Sequence, residues 1–290
     1  MQHYRPSGFK LLPDVVKNLL IINGLMFLAS NVLIGSFGIN LWDEFGLHWV
    51  GSSKFEIYQL ITYMFMHGDL GHIFFNMFAV WMLGSAIENA WGPRRFLTYY
   101  LLTGLGAAFT HYVIVYFFDL APALELMNNF INDPTRQSLS TFLGELGGFQ
   151  VSERYPMMNE LLNDSREALN AVLSGNASAV QVDTAREFMI QYKEFYKAMP
   201  NVVGASGSLF GILLAFGMLF PNARLFLIFI PFPIKAKYFV AGYGALELFQ
   251  GLAMNPGDNV AHFAHLGGMI FGFILIKFWQ KNNQNNLQQF

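Results

Sequence analysis

Apolar residues in this chain fall into long runs, and polar residues collect between them. A membrane-crossing helix needs about 20 mostly apolar residues, with about 17 as the lower bound. Six stretches meet that length: Asn18 to Ile39, Leu70 to about Trp91, Phe96 to Phe118, Val202 to Phe220, about Tyr238 to Met254, and Ala261 to Phe278. The pattern predicts an all-α, polytopic membrane protein of six transmembrane helices. The fifth stretch is near the lower bound and carries Glu247. Leu225 to Ile234 is also apolar, but it is short and holds Pro231 and Pro233, so it is expected at the interface rather than across the bilayer.

Two connections are longer than simple turns. Asn40 to Asp69 carries Trp42, Trp49, Phe55, Tyr58 and Phe65, an aromatic density expected of a segment lying in the membrane interface. Asp119 to Pro200 holds eleven acidic and six basic residues and is the polar, domain-sized piece of the chain. Within it, Met157 to Leu173 reads as a helix ending at Ser174-Gly175. Ser178 and Gln181 are spaced as a capping box for a second helix. Val182, Ala185, Met189, Tyr192, Tyr196 and Met199, widened by Phe188 and Phe195, form its apolar stripe. The expectation is a small helical hairpin whose stripes pack together; a second reading has it rest over the outer membrane surface and limit access to Ser206, because it joins directly to the fourth span. Three parts result: 1–118 with helices 1–3, the polar insert 119–200, and 201–290 with helices 4–6 and a Gln/Asn-rich tail.

Composition agrees with membrane residence: 54% of residues are hydrophobic and 12% charged, against about 25% charged in a soluble domain. A net charge of −2 with no basic run gives no footprint for nucleic acid. The absence of cysteine excludes disulfides, thiolate catalysis and Cys-type zinc sites. The first apolar run is longer than the core of a signal peptide and is read as a retained span. Orientation follows from Lys and Arg. With the N-terminus inside, the inner segments hold Arg5, Lys10, Lys17, Arg94, Arg95, Arg224, Lys235, Lys237, Lys277 and Lys281, whereas the short outer loops hold Lys54. Both termini are therefore expected in the cytoplasm. Six spans put Ser206 and His265 just below the same surface; seven would put them near opposite faces.

Polar side chains within spans are costly and tend to mark function. Ser206 lies in Gly204-Ala205-Ser206-Gly207-Ser208-Leu209-Phe210-Gly211, and His265 in Ala264-His265-Leu266-Gly267-Gly268. His67, His72 and Asn76 gather at the start of the second span, with His72 and Asn76 on one helical face. Three readings compete. The histidines could be structural, each donating to a backbone carbonyl. His67, His72, His262 and His265 could bind a metal, although Asp69 and Glu247 are not obviously placed to complete such a site and Gly-Ala-Ser-Gly would go unexplained. Alternatively, Ser206 is a nucleophile, His265 its general base, and His72 with Asn76 donors to a developing oxyanion. The last reading explains most features with one mechanism. Gly204, Ala205, Gly207 and Gly211, facing Gly268 and Gly272, would let two helices approach closely enough for a serine–imidazole hydrogen bond.

These three motifs, in this order and on these spans, resemble the rhomboid family of intramembrane serine proteases. The resemblance covers the six spans and implies a Ser206/His265 dyad without an aspartate. His72, Asn76 and the Ser206 amide would stabilise the oxyanion, with His67, Gly204, Gly207, Phe210, Gly268 and Gly272 supporting the site. It also implies transmembrane protein substrates cut near the outer surface, no cofactor and no metal, a mobile fifth span, and a cap formed by Asn255 to Val260. The compact form suggests a bacterial cytoplasmic membrane. Phe210 stands where relatives often have a tyrosine, Tyr58-Gln59 where they often have Trp-Arg, and the 119–200 insert has no counterpart in the short bacterial loop. An inactive helix-binding relative and a histidine-containing transporter are the alternatives.

Overall fold

A computed structural model describes residues 8–151, 155–199, 201–226, 232–253 and 261–287. The fold is all-α and polytopic. It divides into two compact units, one formed by Met1–Leu47, Glu56–Tyr112 and Val202–Phe290, the other by His48–Phe55 and Val113–Asn201.

In chain order the helices are α1 Asp14–Phe37, α2 Leu41–Phe45, α3 Gln59–Thr62, α4 Leu70–Ala79, α5 Ser85–Trp91, α6 Pro93–Val115, α7 Ala121–Asn132, α8 Arg136–Leu146, α9 Pro156–Ser174, α10 Ala179–Ala198, α11 Ser206–Leu219, α12 Ala236–Ala253 and α13 His262–Leu287. Turns of π-helix at Val80–Gly84 and Tyr116–Leu120 join α4 to α5 and α6 to α7. Four helices among the described residues are long and apolar enough to cross a membrane: Asp14–Phe37, Leu70–Trp91, Pro93–Asn132 and His262–Asn282. The apolar α11 has 14 residues, a rise of about 21 Å against a hydrocarbon core of about 30 Å. The expected fourth span began at Val202, whereas its helix begins at Ser206. The third runs on past the expected Phe118 in a helix that ends at Asn132.

The first unit is held by polar groups that serve the backbone. Pro13 offers α1 no side-chain cap. Instead the buried Glu88 of α5 accepts the N–H of Val15 at 3.0 Å and of Val16 at 2.8 Å, satisfying two donors that a helix start leaves open. Glu88→Ala is expected to lower stability by about 1–3 kcal/mol, read as a lower unfolding midpoint of the purified protein. At the other end Gly38, with φ 67°, closes α1 in the left-handed conformation.

Elsewhere in this unit, hydroxyls donate to carbonyls: Tyr63 to Gly104, Tyr99 to Gly211, and Ser208 to Tyr100, each at 2.8 Å. Such bonds tie helices together where no water competes. In the first loop, Trp42 Nε1 donates to the His67 carbonyl at 2.7 Å. The Tyr58 hydroxyl donates to Glu44 at 2.6 Å, and this carboxylate pushes the phenol up to about 12. Gln59, buried, donates to the Glu44 carbonyl. The Tyr58-Gln59 pair therefore fastens the loop by its own hydrogen bonds.

Arg224–Leu225 and Ile234–Lys235 form a two-stranded antiparallel ladder pairing Leu225 with Ile234. A run whose ends are cross-strand partners leaves and returns on one side, which agrees with its assignment as non-spanning. Residues 227–231, within this run, lie outside the described residues.

The second unit has a core of its own. Gly175, at φ 78°, ends α9 with its N–H on Val172 O and the Asn176 N–H on Ala171 O, the double bond of a Schellman ending. Ser178 and Gln181 make the expected capping box of α10. Ala185, Phe188, Met189, Tyr192 and Tyr196 of the stripe are buried. The insert is more than a hairpin, however: α7 contributes Met127 and Phe130, and α8 contributes Leu139 and Phe142, to the same core. Phe149 stands edge-on to both Phe188 and Tyr192 at 5.0 Å, an aromatic arrangement favoured by ring quadrupoles.

Candidate active site

All the residues singled out in the sequence for chemistry lie in the first unit. Ser206 is the first residue of α11. The chain reaches it through Gly204, whose φ of 125° is open to glycine and strained for other residues. Gly204 is thus part of the turn before the helix, not of its packing face as expected. Its N–H is held by the Tyr63 carbonyl at 2.9 Å.

A second reason for glycine at this position is the crowding around it. A Cβ there would lie 2.8 Å from His72 Nε2 and 3.8 Å from Asn76 Nδ2. The two α4 side chains therefore converge on the backbone immediately ahead of Ser206. Asp69 caps α4 by accepting the His72 N–H at 2.8 Å. His67, fully buried, lies with Nε2 3.1 Å from Asn76 Nδ2 and its ring edge-on to His72 at 4.9 Å. It steadies both members of the pair.

The α11 hydrogen-bond ladder starts with the Leu209 N–H on the Ala205 carbonyl, so the Ser206 amide has no acceptor within the helix. Ser206, His72 and Asn76 thus bring candidate donors to one end of α11, where the helix dipole also favours negative charge.

His265 comes from the first turn of α13. Its Nε2 lies 2.8 Å from Ser206 Oγ, within the range needed for proton transfer. Phe210, one turn along α11 from Ser206, stacks on the imidazole with centroids 4.2 Å apart and planes 7° apart. On its other side Phe210 meets Tyr243 of α12 at 5.1 Å. The close approach of α11 and α13 rests on Gly268, where a Cβ would collide with the Gly207 carbonyl; glycine also lets each of them meet α6, since a Cβ at Gly207 would lie 2.5 Å from Ala107 Cβ and one at Gly272 would collide with the Tyr99 hydroxyl.

The residue whose place the sequence did not reveal is Glu247. It is buried on α12, and one oxygen, Oε2, lies 2.7 Å from His262 Nδ1 and 2.8 Å from His265 Nδ1. Its presence in an apolar span was the signal; its distance in sequence from the two histidines hid the contact. Among the described residues, Glu247, His262 and His265 also form a group of three potential metal donors within 4.8 Å of one another. The two separations from Glu247 are those of hydrogen bonds. Ligands about 2.0–2.2 Å from a tetrahedral zinc would stand more than 3 Å apart, so the group as built fits protons better than an ion. His67 and His72 are not in it, contrary to the four-histidine arrangement considered from sequence. The expected cap, Asn255 to Val260, lies outside the described residues.

Comparison with known proteins gives a family match and several relatives. The family profile of the Rhomboid domain matches residues 54–121 and 169–281. A mitochondrial rhomboid-like protein of Arabidopsis thaliana, RHOMBOID-like protein 12, is 31% identical over 123 residues, 42% of this chain and 35% of that protein. An uncharacterised mitochondrial rhomboid protein of Schizosaccharomyces pombe is 27% identical over 305 aligned residues, covering 97% of this chain and 70% of its own length. The rhomboid protease GlpG of Salmonella newport is 33% identical over 91 residues, 31% of this chain and 30% of that protein. The chain thus spans about a third of the length of the Arabidopsis protein. Because relatives named as mitochondrial stand among these matches, one of them along nearly the whole chain, the bacterial cytoplasmic membrane expected from sequence is not supported. What stands is an integral membrane protein.

Proposed function

The chain belongs to the rhomboid family, and we propose that it is an intramembrane serine endopeptidase cutting transmembrane-helix substrates near the outer membrane surface. The observation that carries this reading is the 2.8 Å separation of His265 Nε2 and Ser206 Oγ. Serine is a weak nucleophile alone, and an adjacent base activates it. As Oγ attacks the peptide carbonyl, Nε2 takes its proton. The negative oxygen of the tetrahedral intermediate is held by the Ser206 amide with His72 and Asn76. Collapse expels the amine, which receives the proton from His265, and a water activated by the same nitrogen then releases the acyl group from Ser206. Each proton taken is returned, and the enzyme is regenerated.

Six crossings, with both termini on the Lys/Arg-rich side, would put this chemistry close to the opposite surface, from which water would arrive. An inactive relative that only binds helices would keep the fold and would not need a base within reach of the serine.

The test is labelling of the purified full chain by a serine-directed fluorophosphonate. Labelling of the wild type, absent in Ser206→Ala, is expected. Folded wild-type protein that takes no label would overturn the reading. Within it, Asn76→Ala should lower kcat/KM by about 10- to 100-fold, below the loss of roughly 100- to 1,000-fold seen when a sole oxyanion donor is removed, because three donors share the charge. A loss equal to that of Ser206→Ala would refute this ranking.

A further inference from the structure

A carboxylate in the middle of an apolar helix is costly unless it is paired. Glu247 is buried to 3% exposure on α12, and its pairing is specific. Oε2 is in hydrogen-bond contact with His262 Nδ1 and His265 Nδ1, the two rings standing at 88° to each other. An ionised carboxylate can only accept hydrogen bonds, so both Nδ1 atoms carry protons. For neutral His265 this fixes the tautomer: Nδ1 is protonated and the lone pair of Nε2 faces Ser206 Oγ.

We propose that Glu247 is the positioning residue of the general base, making a carboxylate–imidazole–serine relay spread over α12, α13 and α11. This inference rests on the protease reading above. It adds a carboxylate to the Ser206/His265 dyad that the resemblance implies. Phe210 stacked on the ring fixes its plane, but stacking cannot choose between the two tautomers. The carboxylate does choose. It also offsets the positive charge the ring takes up when it accepts the serine proton. His262, donating to the same oxygen, holds the carboxylate in place from a second side and so supports the base indirectly.

A purely structural staple between α12 and α13 would use the same atoms, so the test separates the two roles. Glu247→Gln preserves the size of the side chain and leaves an amide oxygen to accept one imidazole N–H. Glu247→Asp restores the charge on a shorter arm. Each full-length variant is purified, its unfolding midpoint measured, and its fluorophosphonate labelling rate and its kcat and KM on a transmembrane reporter determined.

The expected result for Glu247→Gln is a fall of roughly 100-fold or more in kcat and in labelling rate, with KM and the unfolding midpoint unchanged. Glu247→Asp should recover part of the rate. A Gln variant as fast as the wild type, or rate losses in both variants that follow a lowered unfolding midpoint, would overturn the inference while leaving the protease reading intact. Wild-type activity lost to a chelator and restored by zinc would assign the three donors to a metal and would also overturn it. Folded wild type that takes no label would remove the protease reading and this inference together.

Discussion

Ser206→Ala and His265→Ala are each expected to reduce cleavage of a transmembrane reporter to the background of the assay, a loss on the order of a million-fold in kcat, and the double variant is expected to lose no more than either alone. The reason is the single proton path between them. Oγ has its base at 2.8 Å, and either substitution deletes one end of that path. Two groups acting as a unit give losses that do not add. Both variants should fold, because Ser206 opens its helix and its hydroxyl bonds to the base, and because Phe210 can close over the space left by the imidazole. The decisive comparison is therefore cleavage rate at matched unfolding midpoint. Residual cleavage in Ser206→Ala within a factor of about ten of the wild type would exclude Ser206 as the nucleophile, since the oxyanion donors alone leave only a small remainder of serine-protease catalysis.

Gly268→Val is expected to have the largest effect on the fold around the site. A Cβ at position 268 would collide with the Gly207 carbonyl oxygen and lie 2.9 Å from its carbon. Both obstacles are helix backbone, so no side chain can rotate away. The helices α11 and α13 must separate, at a cost of about 3 kcal/mol or more, and the serine–imidazole hydrogen bond must lengthen with them. Stability and cleavage should fall together. Gly272→Ala meets the hydroxyl of Tyr99, the end of a side chain, as well as Gly211 Cα at 3.4 Å, so it should be milder than even Gly268→Ala. Unfolding midpoints of the three variants check the order, and a wild-type-like Gly268→Val would show that the two backbones are not in contact.

The candidate pair was legible in the sequence because polar side chains stand out against apolar runs. Ser206 and His265 needed no alignment to be noticed, and the small residues around them announced close helix contact. Conformation was less legible. Gly204 belongs by composition to a small-residue face, yet its backbone turns left-handed before the helix begins, and nothing in the pattern Gly-Ala-Ser-Gly distinguishes those two uses of glycine.

Glu247 shows a different limit. It was visible as a charge in the fifth apolar run, but it is 15 residues from His262 and 18 from His265. Which side of one helix meets which side of the next is a property of packing that periodicity does not encode. In the insert, the stripe on α10 is evident from spacing, whereas α7 and α8 are not. Leu120, Ala123, Met127 and Phe130 recur at helical spacing, but they directly follow an apolar run that reads as a membrane span, and its boundary at Asp119 masked the periodicity continuing through it.

Ser206, His265 and Glu247 are carried by three separate helices, and of the three only Glu247 rides on α12. That helix is joined to its neighbours here by Tyr243 against Phe210 and by the two histidine hydrogen bonds. Any sideways swing of α12 that parts these contacts withdraws Glu247 from His265 while leaving Ser206 and the imidazole side by side. Under the proposed relay, opening the bundle along this edge and arming its base would be opposed. If the relay proposed above operates, a helix admitted past α12 would meet a serine at rest, and the reaction would begin when α12 returned. Such coupling would act as a timing device: the nucleophile would be at full strength only while the wall behind it is shut.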